Sequence, residues 1–361
     1  MKDSLFIDVL DGSCCNVIQV IYPKSKRPEG LEYGASVNVI GKVQLALNGH
    51  QLEIVADSID IIGTCSPAGK SGKLAAKEDY PFIPKQKHAL EYLREYLHLR
   101  LQTKFFTSLL RIRSEATLGV YNFFSEKGFI NVHTPIITSN DCEGACEIFK
   151  VQPADDKLLA EMKKEDVPIE QAFFDSNAYL TVSGQLHLEA AARRFHKVYT
   201  FNPTFRAENS NSRQHLSEFY MIEAEQGFVN SIEDILSTME GLVKSLLTGA
   251  ISRSREDIEY ILKYNEIDVD QHFKMIETII KKPFIVMTYS EAVNVLEKKL
   301  KLEGANDGLT RAHELALVKY HDNVPVFVIN WPKKIKPFYM KETDGDPNLV
   351  RIFFFKIIHC R

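Results

Sequence analysis

Between Thr204 and Phe219 the chain sets a guanidinium, a carboxylate, an imidazole and an aromatic ring around a polar turn. The order is Thr204-Phe205-Arg206-Ala207-Glu208, then Asn209 to Gln214, then His215-Leu216-Ser217-Glu218-Phe219. The flanking segments read as strands, so these side chains belong on the two arms of one hairpin. Such a set can handle a nucleoside triphosphate. A phosphorus under nucleophilic attack gains negative charge, which the guanidinium of Arg206 can neutralise. An adenine ring asks for a flat apolar partner and an acceptor for its exocyclic amine, which Phe219 and Glu208 can supply. His215 can meet the terminal phosphates. Residue by residue a plainer reading exists: Arg and Glu two apart on a strand are ordinarily a surface pair, and a lone Phe is ordinarily core.

Two more polar stretches precede this one, Asp141-Cys142-Glu143-Gly144 and Leu180-Thr181-Val182-Ser183-Gly184-Gln185-Leu186-His187-Leu188-Glu189. A lone Ser or Gln in such a stretch is ordinarily a satisfied turn residue. The elements that must hold all three groups lie between 104 and 332. From 104 to 127 the residues Ile112, Ala116, Val120 and Phe124 recur every fourth position, one face of a long helix ended by Gly128. FINVHTPII, AYLTVSG, KVYTFNPTF and HLSEFYMIEAEQGF read as strands, helical patterns follow over 231–249, 254–282 and 289–302, and PVFVINWP returns to strand. Strands first and interleaved helices afterwards predict an α+β domain on an antiparallel sheet rather than a doubly wound one.

Upstream, SLFIDVL, NVIQVIY, SVNVIGKV and QLEIVADSIDIIG are separated by Asp11-Gly12-Ser13 and Asn48-Gly49. They predict a small all-β domain, a partly open barrel of the oligonucleotide-binding kind or a small sandwich. Residues 66–87 are rich in Lys, Gly, Ser and Pro without apolar period and read as a linker. The expected division is 1–65, a linker and hinge over 66–103, and 104–361.

At 361 residues, 45% hydrophobic and 25% charged, the composition is that of an ordinary globular protein with more than one domain. No apolar run is long enough to span a bilayer, so no membrane is expected. A net charge of −4 excludes bulk electrostatic capture of nucleic acid and leaves local patches or stacking. The six cysteines show no CxxC spacing, and Cys142 and Cys146 lack a matching pair, so no metal site is expected of them.

The order FRAEN, then His, then Phe at these spacings resembles the second signature motif of the class II aminoacyl-tRNA synthetases. The long helix, Lys127-Gly128-Phe129 and a strand reaching Pro135 resemble the first, which implies a homodimer with Pro135 in its interface. Asp141–Gly144 and Leu180–Glu189 resemble the substrate-closing loop and amino-acid pocket of the aspartyl and asparaginyl branch. The resemblance implies that Arg206 is catalytic and binds ATP with Glu208, His215 and Phe219. It implies that Glu143 meets the substrate ammonium and that Ser183 and Gln185 line the pocket. Phe6-Ile7-Asp8-Val9 and Gln19 resemble the anticodon-binding OB-fold barrel of this branch, which implies that Phe6 stacks on an anticodon base while Gln19 bonds its edge. KQKHALEYLREYLHLR resembles the hinge between the two domains.

Within this branch the aspartyl enzymes carry a lysine where this chain has Leu188. Burying an aspartate side chain without a cation costs several kcal/mol or forces its protonation. Glu223 stands where asparaginyl enzymes have glutamate and aspartyl ones usually aspartate, and a carboxylate accepts from an amide but repels another carboxylate. L-asparagine is therefore the expected amino acid, with ATP and tRNA(Asn) as the other partners. The alternatives are an aspartate ligase, an asparagine-making ammonia ligase, which would lack the anticodon barrel, and a non-catalytic tRNA-binding paralogue.

The resemblance is expected to cover about residues 4 to 350. Beyond Gly345-Asp346 the family continues with acidic Mg2+ ligands and a third motif, whereas this chain reads RIFFFKIIHCR. This implies a catalytic domain incomplete at its C-terminus, without its Mg2+ ligands, with little ligase activity and an unpaired sheet edge. HTPIITSNDCEGA, LTVSGQLHLE and FYMIEAE look closer to the organellar branch, which implies the mitochondrial matrix, with the cytoplasm as alternative.

Overall fold

The structure, a computed structural model, describes residues 3–46, 49, 51–65, 80–83, 86–140, 142, 147–209, 215–337 and 339–356. The chain divides into two units, one of residues 1–114 with 254–269, the other of residues 115–253 with 270–361.

Alternating apolar residues form four strands in the first unit: β1 (Ser4–Val9), β2 (Ile18–Pro23), β3 (Ser36–Leu45) and β4 (Leu52–Gly63). Their order is β1-β2-β4-β3. The β1–β2 and β3–β4 pairs run antiparallel and β2–β4 runs parallel. The period of two turns Val20, Tyr22, Ala56 and Ile59 into one core, with Ile7 and Val9 packed against it. A second core gathers Tyr80, Phe82, Leu93 from α1 (Leu90–Glu95), and Phe105 and Phe106 from the start of α2 (Lys104–Glu126).

The loop between β1 and β2 is pinned by Arg111. Its Nε and Nη2 donate to the buried Asp257 carboxylate at 2.9 and 2.6 Å, and its Nη1 donates to the Gly12 carbonyl at 2.9 Å. Burial alone would raise the Asp257 carboxyl, but hydrogen bonds from Arg111 and Ser108 win and hold it below its usual range. Arg111→Met leaves that carboxylate buried and unpaired, so stability should fall by about 3 kcal/mol, measured by urea unfolding. A carboxyl depressed in the folded state stabilises fully above its unfolded pKa of about 4, and the contribution is lost as pH falls through the lowered value. The gap between Arg111→Met and the parent should therefore close in acid.

The second unit carries the remainder of α2, whose Val120, Phe123 and Phe124 form a core with Phe129, Tyr199 and Leu242. Chain order then gives β5 (Ile130–Asn131), β6 (Ile137–Thr138), β7 (Lys150–Val151), α3 (Asp156–Met162), β8 (Ala178–Leu180) and α4 (Gln185–Phe195). A long hairpin follows, β9 (Lys197–Phe205) and β10 (Glu218–Gln226), then α5 (Ile232–Tyr264) and α6 (Val269–Lys281). The last part comprises β11 (Ile285–Thr288), α7 (Tyr289–Asn294), α8 (Arg311–Tyr320), β12 (Val326–Pro332), β13 (Glu342–Thr343) and β14 (Asp346–Lys356). Three sheets result, β10-β9-β5, β6-β8-β7 and β11-β12-β14-β13.

The α+β class stands, but the purely antiparallel sheet is corrected: β5 runs parallel to β9 and β11 parallel to β12. Helical geometry breaks at Ser254 (φ −125°, ψ 26°), between the helices expected at 231–249 and 254–282, but the second of these is itself divided, α5 ending at Tyr264 and α6 starting at Val269. Their break falls where Glu266 takes a left-handed backbone (φ 60°). Near the end of the chain the β12 edge is covered, while β13 pairs with β14 only at residues 346 and 350, so among the described residues no strand pairs the outer side of β14 over 352–356. β14 lies antiparallel to β12, pairing Phe327 with Phe355 and Ile329 with Phe353. Phe353 and Phe355 pack against a core of Leu236, Ile279, Phe284 and Phe327. Residues 357–361 lie outside the described residues.

Candidate active site

The β9–β10 hairpin is the frame of the site. Its register pairs Thr204 with Phe219, Asn202 with Met221, Thr200 with Glu223 and Val198 with Glu225. Side chains alternate between faces, so these eight share one face. Tyr199, Phe201 and Ile222 take the other and pack against α2. Helix α4 packs on both strands of the hairpin.

The turn before α4 hangs between distant backbones. Thr181 N–H donates to the Ile136 carbonyl at 2.8 Å, and Phe205 N–H donates to the Thr181 carbonyl at 2.9 Å. Thr181 Oγ1 donates to the Ser183 carbonyl at 2.8 Å. These bonds bring Ser183 and Gly184 against Glu223. The carboxylate accepts from the Ser183 hydroxyl and, at 2.7 Å, from the Gly184 N–H. A Cβ on Gly184 would sit 2.8 Å from Thr134 Oγ1, 3.1 Å from Thr200 Cγ2 and 3.2 Å from the Glu223 carboxylate, so the turn has room only for glycine. Gln185 starts α4; its N–H donates to Ser183 Oγ at 3.0 Å and its side-chain amide to Glu189 at 3.0 Å. Leu188, one turn on, is fully buried. Thr200 is also fully buried, and its hydroxyl meets no partner among the described residues.

At the other end of the hairpin Arg206 follows β9, and its N–H donates to the Ser217 carbonyl at 3.0 Å. Its guanidinium lies 5.4 Å from the centre of the Phe219 ring and 4.0 Å from the Glu208 carboxylate. That second distance is too long for a hydrogen bond, and the buried Nε has no partner among the described residues. A buried donor without an acceptor costs about 1–3 kcal/mol, so this guanidinium fits an anion. Glu208 lies 3.8 Å from His215 Nε2. The four residues expected for the nucleotide are therefore gathered, as are Ser183, Gln185 and Glu223 at the hairpin's other end. Glu143 lies outside the described residues.

Residues that sequence reasoning missed complete the frame. Glu147 clamps the hairpin turn, its carbonyl accepting from Ala207 N–H at 2.8 Å and its carboxylate from Asn209 N–H at 3.2 Å. Thr134 accepts from the Asn202 amide at 3.1 Å. Glu225 follows Glu223 on the same face, and burial, then the charges of Glu189 and Glu223, push its carboxyl up to about 7. Only the alternation along FYMIEAE hints at Glu225.

Residues 89–354 match the family described as tRNA synthetases class II (D, K and N). Over 352 residues the chain is 42% identical to a Homo sapiens protein named asparaginyl-tRNA synthetase, covering 96% of this chain and 69% of that one. The chain belongs to the asparaginyl-tRNA synthetases. It is 36% identical to a Dictyostelium discoideum relative named as a probable mitochondrial asparagine–tRNA ligase, over 95% of this chain and 69% of that one. Among solved structures, the asparaginyl-tRNA synthetase of Pyrococcus horikoshii in complex with asparaginyl-adenylate superposes with a TM-score of 0.76 at 25% identity, covering 99% of this chain and 74% of that one.

The match to the synthetase family reaches residue 354 and so includes part of RIFFFK, past the point where the resemblance was expected to stop. In this asparaginyl-tRNA synthetase Phe6 is 51% exposed. Phe6 pairs with Ile21 and Asp8 with Gln19, so Phe6 and Gln19 share the face turned away from Val20 and Tyr22. Gln19 donates to Asp8 at 3.4 Å. Pro135 is exposed. Mg2+ accompanies ATP in class II synthetases; among the described residues no group of three or more His, Cys, Asp or Glu is placed to hold a metal ion, so no step is assigned to protein-held Mg2+. No helix among the described residues is long and apolar enough to cross a membrane.

Proposed function

We propose that this chain activates L-asparagine with ATP and transfers it to tRNA(Asn). The asparagine carboxylate attacks the α-phosphorus, pyrophosphate leaves, and a terminal ribose hydroxyl of the tRNA then takes the acyl group. Positioning and charge stabilisation carry both steps. Arg206 neutralises the phosphoryl oxygens, Phe219 and Glu208 hold the adenine, and His215 meets the outer phosphates. Glu143 receives the substrate ammonium, Ser183 and Gln185 line the pocket, and Glu223 accepts from the side-chain amide.

The observation that carries the choice of asparagine is the Glu223 carboxylate, fixed by Ser183 and Gly184 beside a fully buried Leu188. A carboxylate pocket without a cation suits a neutral amide and repels aspartate. Pyrophosphate exchange measured with each amino acid tests it: asparagine should support exchange and aspartate should not, and the reverse preference would defeat the reading.

The finer assignments rest on further support. The strand order β1-β2-β4-β3, with one parallel pair among antiparallel ones, supports an OB-fold over residues 1–65, joined through 66–103 to a catalytic domain over 104–361. Phe6, exposed, and Gln19, half-buried on the same face, suit an anticodon base. Exposed Leu118, Tyr121, Ile130, Ile136 and Ile137 around Pro135 support a homodimer through this surface. The Dictyostelium relative named as mitochondrial supports the mitochondrial matrix as the compartment.

A further inference from the structure

Glu223 does not stand alone. Glu225 shares its face of β10, and Glu189 faces the same strand from the first turns of α4, held by the Gln185 amide at 3.0 Å. Strand β9 and helix α4 are the elements on this face. They and β10 carry Lys197, Tyr199, His187, Glu189, Arg193, Arg194, Glu218, Tyr220 and Glu223 as further ionisable groups, and of these only Glu189 and Glu223 act on Glu225. Among the described residues no cation acts on the Glu225 carboxyl there. A second observation marks the place as built for a ligand. Thr200, opposite Glu223 in the register, is fully buried and its hydroxyl has no partner among the described residues, so the pocket holds one polar group more than these residues satisfy.

We propose that Glu225 and Glu189 are specificity-determining residues: with Glu223 they form a carboxylate wall that excludes aspartate from the place taken by the asparagine side chain. The proposal rests on the asparagine reading above. Electrostatic repulsion reaches farther than hydrogen bonding, so carboxylates that touch no substrate atom still raise the cost of a charged side chain. An asparagine side chain carries no charge and is nearly indifferent to them. Because the Glu225 carboxyl is pushed up to about 7, the wall gains a charge as pH rises through neutrality, while free aspartate, with an ordinary side-chain pKa of about 3.9, is ionised across this range, so binding it costs either that repulsion or the uptake of a proton, and both grow with pH.

The experiment is calorimetric binding of the sulfamoyl analogues of asparaginyl- and aspartyl-adenylate to the full chain between about pH 6 and 8. The ratio of the two dissociation constants should move roughly tenfold further in favour of the asparaginyl analogue across this range. Glu225→Gln should flatten the pH dependence at a low ratio, and Glu225→Asp, which keeps the charge, should restore it. Glu189→Gln, at an exposed position, should shift the midpoint to lower pH. A ratio independent of pH in the parent, or an unchanged slope in Glu225→Gln, would overturn the proposal while leaving the asparagine reading intact. Preference for the aspartyl analogue, or binding of neither, would overturn both.

Discussion

Arg206→Ala should lower asparagine-dependent pyrophosphate exchange by roughly a thousandfold, the upper range for removing one preorganised donor from a developing oxyanion. The guanidinium is set for this loss. It lies against the Phe219 ring, stays beyond hydrogen-bond reach of Glu208, and keeps a buried Nε without an acceptor among the described residues. The fall should appear mainly in kcat, because the charge it meets grows as the α-phosphorus is attacked. Arg206→Lys should recover little, since an ammonium cannot reproduce the planar fork. Thermal unfolding should be unchanged or slightly raised, as an unsatisfied donor is removed. Exchange within tenfold of the parent would show that Arg206 does not touch the reacting phosphate.

Glu223→Gln should lower kcat/KM for asparagine by roughly a hundredfold without creating activity on aspartate. Two donors converge on this carboxylate, the Ser183 hydroxyl and the Gly184 N–H. The amide that replaces it keeps one acceptor and turns an N–H2 toward a donor, so one buried group loses its partner. The substrate amide loses its acceptor at the same time, and sites built around such a bond discriminate by about 10⁴ or more. No cation enters, so aspartate gains nothing. Steady-state kinetics with both amino acids decides this, and a rise in aspartate activity would show that charge at residue 223 alone sets the choice.

Much of this site could be read from residue order because the chemistry sits on one hairpin. FRAEN and FYMIEAE are adjacent strands, and a period of two fixes which side chains share a face once the turn is placed, so Arg206, Phe219 and Glu223 were legible. Thr134, Glu147 and Thr200 were not. Thr134 meets Asn202 across 68 residues and Glu147 meets Asn209 across 62, and no local pattern encodes such a pairing. The two parallel pairs escaped for the same reason, since a parallel neighbour always lies across a long connection. The helix α4 was hidden behind the strand-like LTVS that precedes it. RIFFFK misled differently: read as a stray apolar tail, it is instead a strand paired with β12, with Phe353 and Phe355 packed into a core and Phe354 on the other face, against Trp331 and 43% exposed.

Trp331 has a use of its own. It is the single tryptophan of the chain, 3% exposed, with its indole N–H bonded to the Val328 carbonyl at 2.8 Å and the Lys336 ammonium 3.8 Å from its ring centre. Intrinsic fluorescence therefore watches only the β11-β12-β14-β13 sheet, through a fluorophore whose emission depends on a nearby cation keeping its seat. Circular dichroism averages over the whole chain. An emission shift that departs from the dichroism melt would reveal that this sheet loosens on its own, and the optical signal would time that event separately from anything happening at the β9–β10 hairpin.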